Sequence, residues 1–258
     1  MCRWIAYLGE PIFLDELVTR PKQSLIVQSR NSREAKNAVN GDGFGLGWYG
    51  ERSEPGVFRD VRPAWSDENL LSLAQQIKSG LFFAHVRAST GTSTTRANCH
   101  PFAHGDWMFM HNGKIGGWDH LRRQIEMAIP DQLFRHRQGT TDSEVLFLLL
   151  LANGLAEDAR RACGKTLTFI EDIMRRAKET EPLRVTAAFS DGRHVFALRH
   201  ASDATPETLY VRARRSSAGT LVVSEPLDDG REDWQAVPPQ SFVTLGPAGM
   251  SIEPFRLN

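Results

Sequence analysis

The sequence opens with Cys2-Arg3-Trp4-Ile5-Ala6-Tyr7-Leu8-Gly9, an apolar segment with a cysteine at its first position. Aromatic and β-branched residues that end at a glycine are typical of a β-strand. Because the side chain after Met1 is small, methionine aminopeptidase can remove Met1, and Cys2 would then carry a thiol and a free α-amine. Such an amine has a pKa of about 7.7–8.0, so it can accept the thiol proton near neutral pH. The segment therefore predicts a strand that begins with a candidate nucleophile.

Outward from this strand, the chain predicts strands, then helices, then strands again. Residues 10–40 indicate loops with a short helix, and residues 41–50 place a glycine at almost every second position, which indicates a strand with one bare face. Separate runs of strands and helices imply α+β layers rather than βαβ alternation. We expect two antiparallel sheets covered by helices. The other predicted strands are 81–89, 106–113, the hairpin of 184–200 and four short segments from 208 to 257, and the predicted helices are 66–79, 118–128, 140–154 and 156–178.

Length and composition favour one enzyme-sized domain, 1–258. Lys plus Arg and Asp plus Glu each number 31 among the 258 residues, so the balanced charge predicts neither nucleic-acid binding nor a basic membrane patch. No apolar run approaches the roughly 18 residues of a membrane span, and the N-terminus has no secretory pattern. The three cysteines, Cys2, Cys99 and Cys163, are too few and too odd in number for a disulfide framework. We therefore expect a cytoplasmic protein.

Two sequence motifs suggest a dinucleotide site and a zinc site, but their spacing or the residues around them argue against both interpretations. Residues 45–50 satisfy G-x-G-x-x-G, but a turn follows them, whereas a dinucleotide fingerprint opens a helix. Cys99, His100, His104 and His111 lie close together in sequence, but their spacing matches no zinc pattern. We expect neither a metal nor a cofactor.

Three polar positions at the ends of apolar segments are better candidates for chemistry. Arg87 ends a strand, where it would either bind a carboxylate or form a structural salt bridge. Asn112 and Gly113 would either form an oxyanion hole or an ordinary Asn-Gly turn. Asp142 would either cap its helix or accept hydrogen bonds from an ammonium group. Taken singly, none of the three decides between its alternatives.

Taken together and in order, these motifs resemble the class II glutamine amidotransferases of the N-terminal-nucleophile hydrolase superfamily. The likeness is greatest to a branch that includes the γ-glutamyl amidohydrolases of ergothioneine biosynthesis, and it covers essentially the whole chain. The motifs are Met1-Cys2-Arg3, Asp42–Gly47, His85–Thr90, Asn98–Phe102, His111-Asn112-Gly113, Thr141–Glu144, Ser224–Leu227 and Val237-Pro238-Pro239.

The resemblance implies a fold and a set of catalytic groups. The fold would be a four-layer αββα sandwich of two antiparallel sheets flanked by helices. Cys2 would be the nucleophile, and Asn112 with the Gly113 N–H would form the oxyanion hole. A γ-glutamyl thioester would form on Cys2 and water would release glutamate.

The resemblance also implies the substrate-binding residues. Arg87, helped by Thr90, would hold the α-carboxylate of glutamine or a γ-glutamyl compound, and Asp142 would hold its α-ammonium. The Asp42-Gly43 turn would line the pocket, and His111 is counted with the binding residues.

Two other functions remain open at this stage. The chain would supply ammonia if a partner synthase subunit brought an acceptor site, and it would be a non-catalytic binding module if the site were degenerate. A homodimer is also possible. Ala88 stands where many class II members have an aromatic residue, which leaves the shape of the pocket rim open.

Overall fold

The structure is a computed structural model that describes residues 2–34, 38–89, 91–214 and 218–257. Its strands are β1 Arg3–Phe13, β2 Phe44–Trp48, β3 Gly56–Asp60, β4 Lys78–Val86, β5 Phe102–His104, β6 Trp107–Lys114, β7 Arg184–Ser190, β8 Val195–Ala201, β9 Tyr210–Ala213, β10 Gly219–Val223, β11 Gln235–Ala236, β12 Ser241–Gly246 and β13 Gly249–Pro254. Its α-helices are α1 Asp15–Val18, α2 Leu25–Arg30, α3 Glu68–Gln76, α4 Trp118–Glu126, α5 Asp131–Phe134, α6 Asp142–Ala152 and α7 Ala159–Arg176.

The strands form two antiparallel sheets. The first has the order β11-β9-β10-β1-β4-β2-β3, and the second has the order β13-β12-β8-β7-β6-β5. The N-terminal strand β1 therefore lies inside the first sheet, between β10 and β4. The residues that follow Cys2 are therefore buried on both faces of the sheet, and Cys2 itself lies at the start of a central strand.

Three apolar clusters separate four layers. Between the sheets, residues such as Trp4, Phe83 and Met108 form an inner core. The helices α4, α6 and α7 cover the outer face of the second sheet, and α1, α2 and α3 cover the outer face of the first. The order of layers is helix, sheet, sheet, helix, which confirms the αββα prediction.

The alternation of side chains along β6 decides what reaches the space between the sheets. Met108 and Met110 belong to the inner core, whereas Phe109 belongs to the outer one. Because successive side chains point to opposite faces of a strand, Asn112 faces inward and His111 faces the helices. The inner core thus ends in polar residues at one edge of the two sheets.

Helix α6 has apolar residues on all sides, with every residue from Ser143 to Leu150 buried. Thr141 is its N-cap, since its Oγ1 accepts the Glu144 N–H at 3.2 Å. The N-cap of α6 is therefore Thr141 and not Asp142, which is the first residue of the helix. None of the helices in the described ranges is long and apolar enough to cross a membrane.

Several predicted element boundaries were wrong. Residues 10–13 belong to β1 rather than to a loop, because a register shift after Leu8 lets the strand continue and pair with the start of β4. Residues 78 and 79, predicted at the end of a helix, therefore start β4. The short strands β3 and β5 and the one-turn helix α5 were not predicted, since such short segments carry little periodic signal of their own.

Candidate active site

A cavity of about 330 Å³ lies at the polar end of the space between the sheets. Cys2 precedes β1, Arg87 follows β4, Asn112 and Gly113 end β6, and Asp142 begins α6. All five residues line the cavity. Two sheets and one helix terminus thus bring together groups that are as far as 140 positions apart in sequence.

Cys2 is held by both of its polar ends. Its backbone nitrogen donates to Asn112 Oδ1 at 3.1 Å, and its Sγ lies 3.8 Å from the Ala88 carbonyl oxygen. Burial raises the pKa of the thiol above its ordinary value, although the backbone contact with Ala88 and the positive charge of Arg87 act in the opposite direction. The resting thiol is therefore protonated at neutral pH, and a base must remove its proton before it can attack.

Asn112 presents a free hydrogen-bond donor to the cavity. Its side chain is 2 % exposed, and because Oδ1 accepts the Cys2 N–H, the amide orientation is fixed with Nδ2 on the other side. Nδ2 is buried and has no hydrogen-bond partner among the described residues. A buried donor left unpaired costs about 1–3 kcal/mol, so a ligand oxygen that accepts from Nδ2 is stabilised there. This is the arrangement that an oxyanion hole requires.

Gly113 is a position where no side chain fits. It has a φ of +155° and pairs with Val185 of β7. A Cβ atom at this position would collide with the carbonyl oxygen of Arg184 and with the His111 ring. The glycine is thus required for β6 and β7 to approach each other beside Cys2.

Arg87 is a buried cation without a carboxylate partner among the described residues. The residue is 3 % exposed, and its guanidinium donates to neutral oxygens only: the Asp42 carbonyl at 3.3 Å, Ser89 Oγ at 3.2 Å, Thr92 Oγ1 at 2.6 Å and the Ser93 carbonyl at 3.4 Å. A buried charge is stable only when an anion pairs with it. The free charge on the cavity wall is suited to a ligand carboxylate.

Asp142 approaches the cavity from the helix side. One carboxylate oxygen, Oδ2, accepts the Ile115 N–H at 2.9 Å, which fixes the side chain against the end of β6. Among the described residues, the other oxygen, Oδ1, has only a long contact of 3.4 Å with Ser143 Oγ. Asp142 therefore presents a negative charge with one oxygen largely available, which is suited to an ammonium group.

The other predicted binding residues have different placements. Asp42 and Gly43 are not among the residues that line the cavity. Asp42 instead supports its wall, since its Oδ2 accepts the Ser89 N–H at 2.7 Å. Gly43, with a φ of +117°, lies over Cys99, whose sulfur would be 2.6 Å from any added Cβ. Thr90 lies outside the described residues.

His111 lines the cavity, but both of its ring nitrogens are occupied. Nε2 faces the Arg184 carbonyl oxygen at 3.2 Å and therefore carries the proton, so that Nδ1 accepts from Ser143 Oγ at 2.8 Å. Burial lowers the pKa of the ring, which stays neutral. Its contacts join β6, β7 and α6 rather than leaving a nitrogen for a substrate.

A buried ion pair next to Cys2 was not predicted from the sequence. Arg3 Nε lies 3.2 Å from Glu225 Oε2, and the two side chains are 0 % and 2 % exposed. Ser32 Oγ also donates to Glu225 at 2.7 Å, and Ser224 Oγ accepts the Trp4 N–H at 2.9 Å. The Ser-Glu-Pro-Leu motif at 224–227 was noticed, but only the fold shows that it holds the first residues of β1.

Further polar or aromatic residues line the cavity and were not predicted. They include Lys114, Trp118, Asp119, Glu181, Arg184 and Glu207. The sequence gives one signal for Arg184, which is its position at the start of an apolar strand. That signal is weak, because a charged residue is common wherever the end of a strand faces water.

The fold and this site define the class of protein. A sequence model of class II glutamine amidotransferases matches residues 19–217. The chain belongs to the class II glutamine amidotransferase family, and it is an enzyme of that class.

Individual relatives agree with this assignment. The probable glutamine amidotransferase DUG3 of Saccharomyces cerevisiae is 34 % identical over 98 % of this chain and 84 % of its own length. The γ-glutamyl-hercynylcysteine sulfoxide hydrolase of Mycolicibacterium smegmatis is 29 % identical over 98 % of this chain and its full length.

Two solved structures share the fold. A glutamine aminotransferase class-II domain protein of Silicibacter pomeroyi superposes with a TM-score of 0.78 at 38 % identity, and the match covers 98 % of this chain and 99 % of that protein. The glutamine phosphoribosylpyrophosphate amidotransferase of Bacillus subtilis gives a TM-score of 0.66 at 16 % identity, and this chain covers 50 % of it.

Proposed function

We propose that this enzyme hydrolyses the γ-amide of glutamine or of a γ-glutamyl compound, with Cys2 as the nucleophile. The observation that carries the proposal is the convergence of Cys2, Arg87, Asn112 and Asp142 on one cavity. Each supplies a different requirement of the reaction: a nucleophile, a cation, an oxyanion donor and an anion. The sulfoxide hydrolase among the relatives is named for a γ-glutamyl substrate, which supports this class of compound.

The binding groups match the two charges of a glutamyl group. Arg87 would bind the α-carboxylate, because its guanidinium is buried and has no acidic partner among the described residues. Asp142 would bind the α-ammonium through the oxygen that Ile115 leaves available. These two contacts direct the γ-carbonyl toward Cys2 and Asn112.

Cys2 and Asn112 would then carry out acyl transfer. After removal of Met1, the α-amine of Cys2 takes the thiol proton, and the thiolate attacks the γ-carbonyl carbon. The resulting oxyanion accepts a hydrogen bond from Asn112 Nδ2 and from the Gly113 N–H. When the C–N bond breaks, the α-ammonium returns its proton to the leaving nitrogen, so that ammonia or an amine departs and a thioester remains.

Water completes the cycle. The same α-amine accepts a proton from a water molecule, whose oxygen attacks the thioester carbonyl. Cleavage of the C–S bond releases glutamate and restores the thiol. No redox partner enters either half-reaction, and every proton that the amine accepts is returned to a product or to the sulfur.

The proposal is tested by covalent labelling and turnover. A glutamine-analogue diazoketone should add once to the wild-type protein, and intact mass should show both this addition and an N-terminus at Cys2. Cys2→Ala should lose labelling and glutamate release, whereas Cys99→Ala and Cys163→Ala, which alter buried thiols, should retain labelling. Normal glutamate release by Cys2→Ala would reject the mechanism.

A further inference from the structure

We infer that Arg184 forms a leaving-group subsite, which binds a carboxylate carried by the amine that departs from the γ-glutamyl group. The inference rests on the proposed function. It assigns a substrate class, γ-glutamyl amino acids or peptides, in which the leaving amine has a carboxylate that ammonia lacks.

The strand register places Arg184 next to the oxyanion donor. Asn112 pairs with Thr186 and Lys114 pairs with Arg184 across β6 and β7. Paired residues share a face of the sheet, and so do residues two apart on one strand, so Arg184 and Asn112 lie on the same face as diagonal neighbours. Diagonal neighbours are about 7–8 Å apart, a distance that a long arginine side chain spans. Arg184 also lines the cavity that contains Cys2.

The guanidinium of Arg184 retains an unused donor. Nη2 donates to Asp203 Oδ2 at 2.6 Å and to Thr205 Oγ1 at 3.2 Å. Nε is buried and has no hydrogen-bond partner in the described part of the chain. Asp203 thus holds the side chain in place while leaving an N–H group available.

The glutamyl group of the substrate does not need Arg184, because other residues bind both of its charges. Arg87 follows β4 of the first sheet and Asp142 begins α6, and together they satisfy the α-carboxylate and the α-ammonium. The substituent on the γ-nitrogen must occupy the remaining cavity wall, where Arg184, paired on one side with Asp203, keeps an N–H group that no other described residue uses. When glutamine is the substrate, ammonia leaves and makes no contact there.

A neighbouring carboxylate is suited to the amine product. The Glu207 side chain lines the same cavity and makes no hydrogen bond or ion pair with another described residue. Its backbone carbonyl accepts from Thr186 Oγ1 at 3.2 Å, which places it beside the residue opposite Asn112. An amino acid that leaves as a zwitterion would meet a cation at Arg184 and an anion at Glu207.

The test compares two substrates that differ only in the predicted contact. The specificity constant kcat/KM is measured for γ-L-glutamylglycine and for γ-L-glutamylglycinamide, whose leaving amine has no carboxylate. The wild type should prefer the acid by about tenfold or more, the effect expected of one hydrogen bond to a charged group. Arg184→Gln should reduce this ratio toward one, and Arg184→Lys should give an intermediate ratio.

The matched control is Arg193→Gln. Arg193 is an exposed arginine in the turn at the other end of the same hairpin, so this variant should keep the wild-type ratio. The ratio is taken within each variant, so a general loss of activity cancels. A preference that persists in Arg184→Gln, or a wild type without any preference, would overturn the subsite while the hydrolase proposal stood. Absence of cleavage of glutamine and of both γ-glutamyl compounds by the wild type would reject the proposed function itself.

Discussion

The backbone nitrogen of Cys2 donates a hydrogen bond to Asn112 Oδ1 at 3.1 Å, across the gap between the two sheets. This contact joins the atom that would become the general base to the residue that would hold the oxyanion. Because the amide oxygen is used in this way, the amide nitrogen must point elsewhere, and it is left unpaired among the described residues. One side chain therefore orients the base and provides the oxyanion donor.

Replacing Asn112 should impair the chemical step more than substrate binding. Loss of one oxyanion donor typically reduces kcat by about 10²–10³, so we expect Asn112→Ala to fall in that range. Asn112→Asp keeps an oxygen for the Cys2 amine but loses the donor, and it should be impaired at least as much. Steady-state kinetics with glutamine would measure both variants.

Diazoketone labelling provides the control for these variants, since it reports whether Cys2 is still accessible and nucleophilic. A kcat within twofold of wild type for Asn112→Ala would exclude Asn112 from the oxyanion hole.

Arg87→Lys should raise KM for glutamine by about tenfold or more, because an ammonium cannot reproduce the two parallel hydrogen bonds of a guanidinium to a carboxylate. The ammonium would also be too short to retain the contacts with Ser89 and Thr92. The comparison variant is Arg59→Lys, since Arg59 does not line the cavity. Equal KM values for wild type and Arg87→Lys would remove Arg87 from the site.

Three buried histidines should make the protein unstable in acid. Burial lowers the pKa of His85 to about 3, and it lowers the pKa of His100 and His111 as well. The unfolded chain protonates these residues near pH 6.5, so below that pH it binds more protons than the folded state. The free energy of unfolding should therefore be intact above pH 6.5 and fall as the pH decreases toward the lowered pKa values, by up to about 4 kcal/mol per pH unit if all three contribute.

Urea unfolding between pH 7.5 and 4.5 would measure this slope. His100→Asn removes one of the three groups and should make the slope shallower by about 1.4 kcal/mol per pH unit. The exposed His136→Asn should leave it unchanged. A stability that stays constant from pH 6.5 to pH 5 would contradict the neutral, buried state of these rings.

The buried pair of Arg3 and Glu225 should stabilise the start of β1. Glu225→Gln leaves the buried Arg3 guanidinium without its directly paired carboxylate, a change that typically costs about 3–5 kcal/mol. We expect a large fall in Tm together with weaker amide hydrolysis, because Cys2 adjoins Arg3. Asp229→Asn removes the carboxylate of an exposed pair with Arg33 and should leave Tm and activity almost unchanged. Similar melting curves for the two variants would argue against a role for Glu225 in holding β1.

The sequence alone was sufficient for the layered α+β architecture and for the main catalytic candidates. Periodicity identified the long strands and helices, and the motifs around Cys2, Arg87, Asn112 and Asp142 occur in an order typical of one family. Short edge strands such as β3 and β5 escaped prediction because their pairing partners, not their own residues, stabilise them.

Only the tertiary structure decided the placement and the contacts of each polar residue. The sequence could not tell whether Asp142 or Thr141 caps α6, or that His111 faces the helices while Asn112 faces the space between the sheets. It also could not show that Glu225 neutralises Arg3, or that Arg184 lies diagonally opposite Asn112. These relationships depend on strand register and on which face a side chain occupies, and contacts between distant segments determine both. The proposed nucleophile is thus visible at the second position of the chain, whereas the groups proposed to orient it and to bind the substrate are brought together only by the packing of the two sheets.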